Sequence, residues 1–99
     1  MALHVHDIQA ADGNQATIVL RSDAAKPADA IDELRSPEAA QLAIKAAAEY
    51  GVTRAQLDPV SRTNAPYAVD QQGVAHEEPI PMSEVKEYRA NLRVQAGFI

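Results

Sequence analysis

Residues 36–52 read Ser-Pro-Glu-Ala-Ala-Gln-Leu-Ala-Ile-Lys-Ala-Ala-Ala-Glu-Tyr-Gly-Val, a stretch that carries the signals of a helix with both ends marked. Ser36 can accept a hydrogen bond from an unsatisfied N–H group of the first turn, and Pro37 suits the first helical position. Gly51 can adopt the left-handed conformation that ends a helix. The polar side chains form one narrow stripe, so a helix over 37–50 has to be covered on several sides. We therefore predict that this alanine-rich helix is the packing centre of the fold.

The chain has 99 residues, the size of one domain, and alanine dominates its apolar content. There are 20 alanines, whereas leucine, isoleucine, valine and phenylalanine together number 21. Because alanine buries little apolar area, the core is thin, and a homo-oligomer or another protein would help to complete it. The absence of cysteine excludes a disulfide framework, and no apolar run approaches the roughly 20 residues of a membrane helix. The first residues lack the features of a signal peptide, so we expect a cytoplasmic protein without membrane contact.

Strand and turn signals precede the central helix. An antiparallel hairpin is predicted over 3–20. This segment contains alternating apolar and polar residues, then an Asp-Gly-Asn turn, then a β-branched run. The apolar phase shifts between Val5 and Ile8, which indicates a bulge there. A short helix is predicted over 28–35, since Ile31 and Leu34 supply one small apolar contact.

The C-terminal half is less regular in sequence. A short helix is predicted over 53–58, and a proline-rich extended arm over 58–82. Within this arm a weaker second hairpin is predicted over 67–76. Ser83 can cap a last amphipathic helix over 84–96. Its apolar seam, at positions i, i+3, i+7 and i+11, consists of Val85, Tyr88, Leu92 and Ala96.

These elements together predict an α+β fold in a small single domain over 1–99. The N-terminal hairpin, and the weaker second one, would pack on the central alanine-rich helix and on the C-terminal amphipathic helix. The sequence contains no glycine-rich phosphate loop and no nucleophile elbow, and its acidic runs beside prolines do not indicate a shaped catalytic pocket. We therefore expect neither an enzyme nor a cofactor.

The leading functional hypothesis is a non-catalytic protein-interaction module, such as an inhibitor, adaptor or assembly component, that acts through surface complementarity. An extended proline-rich segment can dock on a partner with little further loss of entropy. The basic stripe of the predicted C-terminal helix has no acidic residue four positions away to neutralise it, so it would suit an acidic partner. The predicted partner-binding residues are Lys86, Arg89 and Arg93 in the stripe and Pro79, Ile80, Pro81 and Met82 in the arm.

Residues 42–60 resemble the helix-turn-helix motif of DNA-binding proteins. The matching positions, which are the small residue, the turn glycine and the buried aliphatics, are Ala47, Gly51, Val52, Leu57 and Val60. The resemblance implies a DNA-binding regulator in which Thr53, Arg54 and Gln56 face the major groove. An ordinary turn between two helices explains the same residues. A net charge of −5 also disfavours a nucleic-acid partner.

Two histidines are weak candidates for metal ligands. His4 and His6 lie two positions apart in the first predicted strand, which places both imidazoles on one face. His76 could add a third ligand of the kind that zinc requires. The solvent face of an exposed strand explains the same spacing, so we predict no metal.

Overall fold

The computed structural model describes residues 3–9, 14–24, 26–52, 66–96 and, for the backbone alone, 55–57. In chain order its elements are strand β1 (Leu3–Gln9), strand β2 (Gln15–Ser22), helix α1 (Pro27–Leu34), helix α2 (Pro37–Glu49), strand β3 (Ala55–Leu57), strand β4 (Tyr67–Asp70), strand β5 (Ala75–His76), a 3-10 turn (Met82–Glu84) and strand β6 (Val85–Ala96). The six strands form one sheet in the order β1-β2-β6-β4-β5, and β3 pairs with the far end of β6. All these pairs are antiparallel.

The predicted amphipathic helix over 84–96 is wrong, because this segment is the central strand β6. Along one side β6 pairs with all of β2, and along the other it pairs with β4 and then β3. The seam residues Tyr88 and Leu92 are four apart, a spacing that shares a face in a helix and in a strand alike. Ala90, between Tyr88 and Leu92, and Val94, after Leu92, are buried as well. Burial at every second residue is typical of a strand with one face against the core.

Both helices lie on one face of the sheet, and the alanine-rich helix fills its centre as predicted. The buried residues of α2 are all alanines: Ala39, Ala43, Ala46 and Ala47. They belong to the same core cluster as Ile18 and Leu20 of β2 and Leu92 of β6. Because alanine projects only a methyl group, the helix backbone can lie close to the sheet and still exclude water.

The ends of α2 follow the sequence signals. The Ser36 hydroxyl accepts a hydrogen bond from the Ala39 N–H at 3.3 Å and donates one to the Glu33 carbonyl at 2.6 Å. Gly51 has a φ of 91°, in the left-handed region, and the next N–H, that of Val52, donates to the Ala47 carbonyl at 3.1 Å. Val52 is then fully buried in the core.

The remaining predictions have mixed outcomes. The N-terminal hairpin is formed by β1 and β2, with a register shift between Val5 and Asp7 where the bulge was expected. The weaker second hairpin is formed by β4 and β5. The helix over 53–58 is wrong at 55–57, which is strand β3. The extended arm over 58–82 is interrupted by this second hairpin, and its residues 58–65 lie outside the described part of the chain.

Replacing a buried methyl of α2 by a larger group tests this close packing. We expect Ala43→Leu to lower the free energy of unfolding by about 1–3 kcal/mol, because overfilling a packed interface forces strain. The control Ala48→Leu lies on the exposed side of the same helix and should leave that free energy almost unchanged. Urea denaturation of both variants provides the measurement, and equal losses would contradict close packing at Ala43.

Candidate interaction surface

The face of the sheet that is turned away from the helices carries a concentration of arginines. The antiparallel register places His4, Arg21, Arg89 and Tyr67 in one row across β1, β2, β6 and β4. Asn91 and Arg93 follow Arg89 on the same face, at two-residue intervals along β6. We call this surface the arginine face and define it by Arg21, Arg89, Arg93, Tyr67 and Asn91.

Arg21 and Arg89 are directly opposite each other on adjacent strands. Like charges in this arrangement destabilise a sheet unless a counter-charge lies nearby. Glu87 supplies that charge, because its Oε2 accepts a hydrogen bond from Arg89 Nε at 2.8 Å. Arg21 forms no hydrogen bond or ion pair with any residue that the structure describes, although its charge acts on Glu87. Within the described part of the chain, the guanidinium donors of Arg21 are therefore open to another group.

Glu87 is held in its charged form despite its burial. Its side chain is only 6% exposed, and this burial alone would raise the pKa of the carboxyl. The hydrogen bond and the charge of Arg89, with the positive charge of Arg21, outweigh that effect and hold the pKa of Glu87 below its ordinary value of 4.5. The arginine face thus includes a buried carboxylate that is charged at neutral pH.

Tyr67 and Asn91 complete the surface beside the arginines. The Tyr67 hydroxyl donates a hydrogen bond to Asn91 Oδ1 at 2.8 Å. Burial raises the pKa of Tyr67 above its ordinary value of 10.0. Val19 and Val69 share this face by register and are 4% and 0% exposed. Two buried valines therefore lie beneath the polar groups of this face.

The structure separates the predicted partner-binding residues into two groups. Arg89 and Arg93 share the arginine face, whereas Lys86 lies at the alternate phase of the strand, so the helical stripe of three basic residues is wrong. Lys86 instead lines a small pocket of about 200 Å³ together with Met82 and Asp23. In the arm, Pro79 and Pro81 are exposed and Ile80 is half-buried, a short distance along the chain from that pocket.

The histidines considered as metal ligands lie far apart in the sheet. His4 is on β1 and His76 is on β5, the first and last strands of the order, and four strand spacings separate them by roughly 19 Å. Each has a carboxylate partner at 2.8 Å, Asp23 for His4 and Asp70 for His76. His6 lies at the bulge of β1. Within the described ranges no three histidine, aspartate or glutamate side chains are grouped so as to hold a metal ion.

Asp70 organises the turn between β4 and β5. Its Oδ1 accepts hydrogen bonds from the Gln72 and Val74 N–H groups, both at 2.9 Å, while Oδ2 contacts His76 Nε2. The His76 hydrogen bond, followed by the backbone bonds, holds the pKa of Asp70 below its usual value. Gly73 has a φ of 85°, which the turn requires. This carboxylate–imidazole pair thus fixes the hairpin.

The described part of the predicted second helix of the helix-turn-helix motif is a strand. Residues 55–57 are strand β3, and Gln56 is paired with Gln95 of β6 through the backbone. Thr53, Arg54 and Val60 lie outside the described residues. The predicted helix is therefore wrong at 55–57, and the DNA-binding alternative stays a prediction.

Comparison with protein-family models, with curated proteins and with solved structures finds no match to this chain. Of the helices that the structure describes, none combines the length and the apolar character needed to cross a membrane.

Sequence reasoning missed Arg21, Glu87, Tyr67 and Asn91. A signal for the β6 members was present, since polar residues alternate with apolar ones from position 87 to position 96. Helix-favouring residue types and the Ser83 cap obscured it. Arg21 could not be linked to Arg89 from sequence, because only the register of β2 against β6 makes them neighbours.

Removing Arg89 tests the buried ion pair. We expect Arg89→Gln to lower the free energy of unfolding by about 2 kcal/mol, because the Glu87 carboxylate would remain buried without its hydrogen-bonded partner. Arg35→Gln removes the same charge from an exposed position and should cost little. Chemical denaturation at neutral pH measures both, and a near-zero effect of Arg89→Gln would contradict the pair's structural role.

The pH dependence of stability offers a separate test of Glu87. Because its folded pKa is depressed, Glu87 stabilises the fold above its unfolded value near 4.5, and this contribution is lost as the pH falls through the folded pKa. We therefore expect Glu87→Gln to make the decline in stability below about pH 4.5 shallower than in the parent protein. Thermal unfolding at a series of acidic pH values measures this, and parallel declines would exclude Glu87 as a contributor.

Proposed function

We propose that the protein is a non-catalytic interaction module, an inhibitor, adaptor or assembly component that binds an acidic segment of another protein through its arginine face. The observation that carries this proposal is the half-buried Arg21 guanidinium, which has no direct partner among the described residues and lies opposite a second arginine. A carboxylate placed between Arg21 and Arg89 would relieve their repulsion and accept hydrogen bonds from both.

Charge distribution supports an acidic partner over a basic one. The chain has a net charge of −5, yet the arginine face holds three of its nine basic residues against two carboxylates, those of Glu87 and of Asp7 beside Val19. An acidic segment would be repelled by most of the surface and attracted to this one, which gives orientation as well as affinity. Arg93 has interactions of its own within the structure, so we assign the central contact to Arg21 and a flanking one to Arg93.

Tyr67 and Asn91 would supply specificity beside that charged contact. Tyrosine and arginine are the residue types most often found at the energetic centre of protein interfaces. Asn91 is exposed, and its Oδ1 accepts a hydrogen bond from Tyr67, so its amide N–H₂ group can donate to a partner backbone carbonyl. Lys86 and the arm residues Pro79, Ile80, Pro81 and Met82 stay a predicted second contact, and the cytoplasmic location stays a prediction.

Binding of a purified partner tests this proposal directly. Proteins captured from the native host would be identified by mass spectrometry, and the affinity of one purified partner would then be measured by calorimetry. We expect Arg21→Gln to weaken that affinity about tenfold, the effect of losing one charge-assisted contact. The affinity of the parent protein should also fall as salt is added.

The matched control is Arg35→Gln, which removes an equal charge from the helix side of the molecule. Arg21→Gln should change the thermal stability little, because it removes both the repulsion from Arg89 and the attraction to the Glu87 carboxylate, and these two effects oppose each other. Equal affinities of the two variants for the partner, or a partner whose binding segment carries no acidic residues, would contradict the proposal.

A further inference from the structure

The edge of the sheet at β1 forms a second surface, independent of the arginine face. β1 is the outermost strand, and its seven residues pair only with β2 in the described structure. Val5 is 38% exposed although it belongs to the helix-facing side of the strand. The opposite edge strand, β5, has two residues, so β1 is the longer open edge. Such an edge can add another strand through its backbone groups.

An apolar groove runs between this edge and helix α2. It has a volume of about 500 Å³. Leu3 and Leu42 form its apolar part, and both are half-buried residues packed against the core. Glu38, Gln41 and Lys45 line it along one stripe of α2. A strand or helix placed here would complete the cover over the thin core.

The charges of this stripe are self-complementary. Glu38 and Lys45 are seven residues apart, about 10 Å along the helix, which is too far for them to pair with each other. Both are exposed, and neither forms a hydrogen bond or ion pair with a described residue. If a second α2 lies antiparallel to the first, with the two-fold axis between Gln41 and Leu42, each Glu38 faces the Lys45 of the other copy. Two equivalent ion pairs then form, as an isologous interface requires.

We propose that the groove is occupied by a second copy of this chain, which forms a two-fold symmetric dimer. The α2 helices pack antiparallel across Leu42, and the edge of β1 around Leu3 meets its counterpart beside them. The bulge after Val5 bends the strand, so strand pairing is confined to its first residues and the helices carry most of the contact. This inference does not rest on the acidic partner proposed above.

Charge exchange across the two-fold axis tests the dimer. Sedimentation velocity over a wide range of concentration should show a reversible monomer–dimer equilibrium in the parent protein. Lys45→Glu places four acidic residues at the interface and should weaken the dimer about tenfold, because each altered contact occurs twice. The double variant Glu38→Lys/Lys45→Glu restores opposite charges and should recover most of the affinity.

Lys26→Glu is the matched control, since it changes charge equally at an exposed position outside the groove. Thermal unfolding of each variant checks that the monomer is folded, and Leu42→Gln provides a second test through the apolar centre of the interface. A parent protein that stays monomeric at all concentrations would overturn the proposal. Equal effects of Lys45→Glu and Lys26→Glu on the dimer would also overturn it. Dissociation of the dimer by Arg21→Gln would overturn it as well, because Arg21 lies outside the proposed interface.

Discussion

The backbone hydrogen bonds between β2 and β6 determine which residues lie on each of the two faces of the sheet. Eight consecutive residue pairs join the two strands without a shift in register. On one side this register aligns Ile18 with Leu92 and provides the apolar floor for the helices. On the other it sets Arg21 against Arg89. Because side chains alternate at every residue, a slip of one position would exchange the two faces and bury arginines beneath α2.

The chain has few large apolar residues, and this shortage is visible on both faces of the sheet. The buried residues of α2 are alanines, so the helix excludes water by lying close to the sheet rather than by filling the space with large side chains. Little space is left between helix and sheet for a larger side chain. On the far side of the sheet, Glu87 occupies buried space that a sequence with more large apolar residues would fill with an aliphatic group, and the half-buried Arg89 neutralises it. A buried ion pair of this kind is costly to break but adds little net stability. It does fix the positions of the groups that surround it.

The N-terminal half of the fold could be predicted from sequence, because its signals are local. The Ser36 cap, the left-handed Gly51 and the bulge after Val5 each depend on neighbouring residues alone. The segment over 85–96 could not be assigned with the same cues, since its Lys, Glu, Arg and Leu residues favour helices in isolation. Pairing with β2 and β4 overrides that preference. The candidate surface was missed for the same reason, because it exists only across strands that are distant in sequence.

The position of β6 in the chain order has a consequence for how the protein reaches its native state. Gln15 pairs with Gln95 and Ser22 with Tyr88, so β6, the last described element, is the strand that joins the β1–β2 hairpin to the rest of the sheet. Until that segment is available, the hairpin of β1 and β2 has two unsatisfied edges and an uncovered apolar side. Contacts between such remote positions are slow to form, in the range of milliseconds to seconds for small β-rich proteins. A nascent chain would therefore expose the open edges and the apolar side of the β1–β2 hairpin until β6 has been synthesised, and chaperones or a second copy could bind it in that interval.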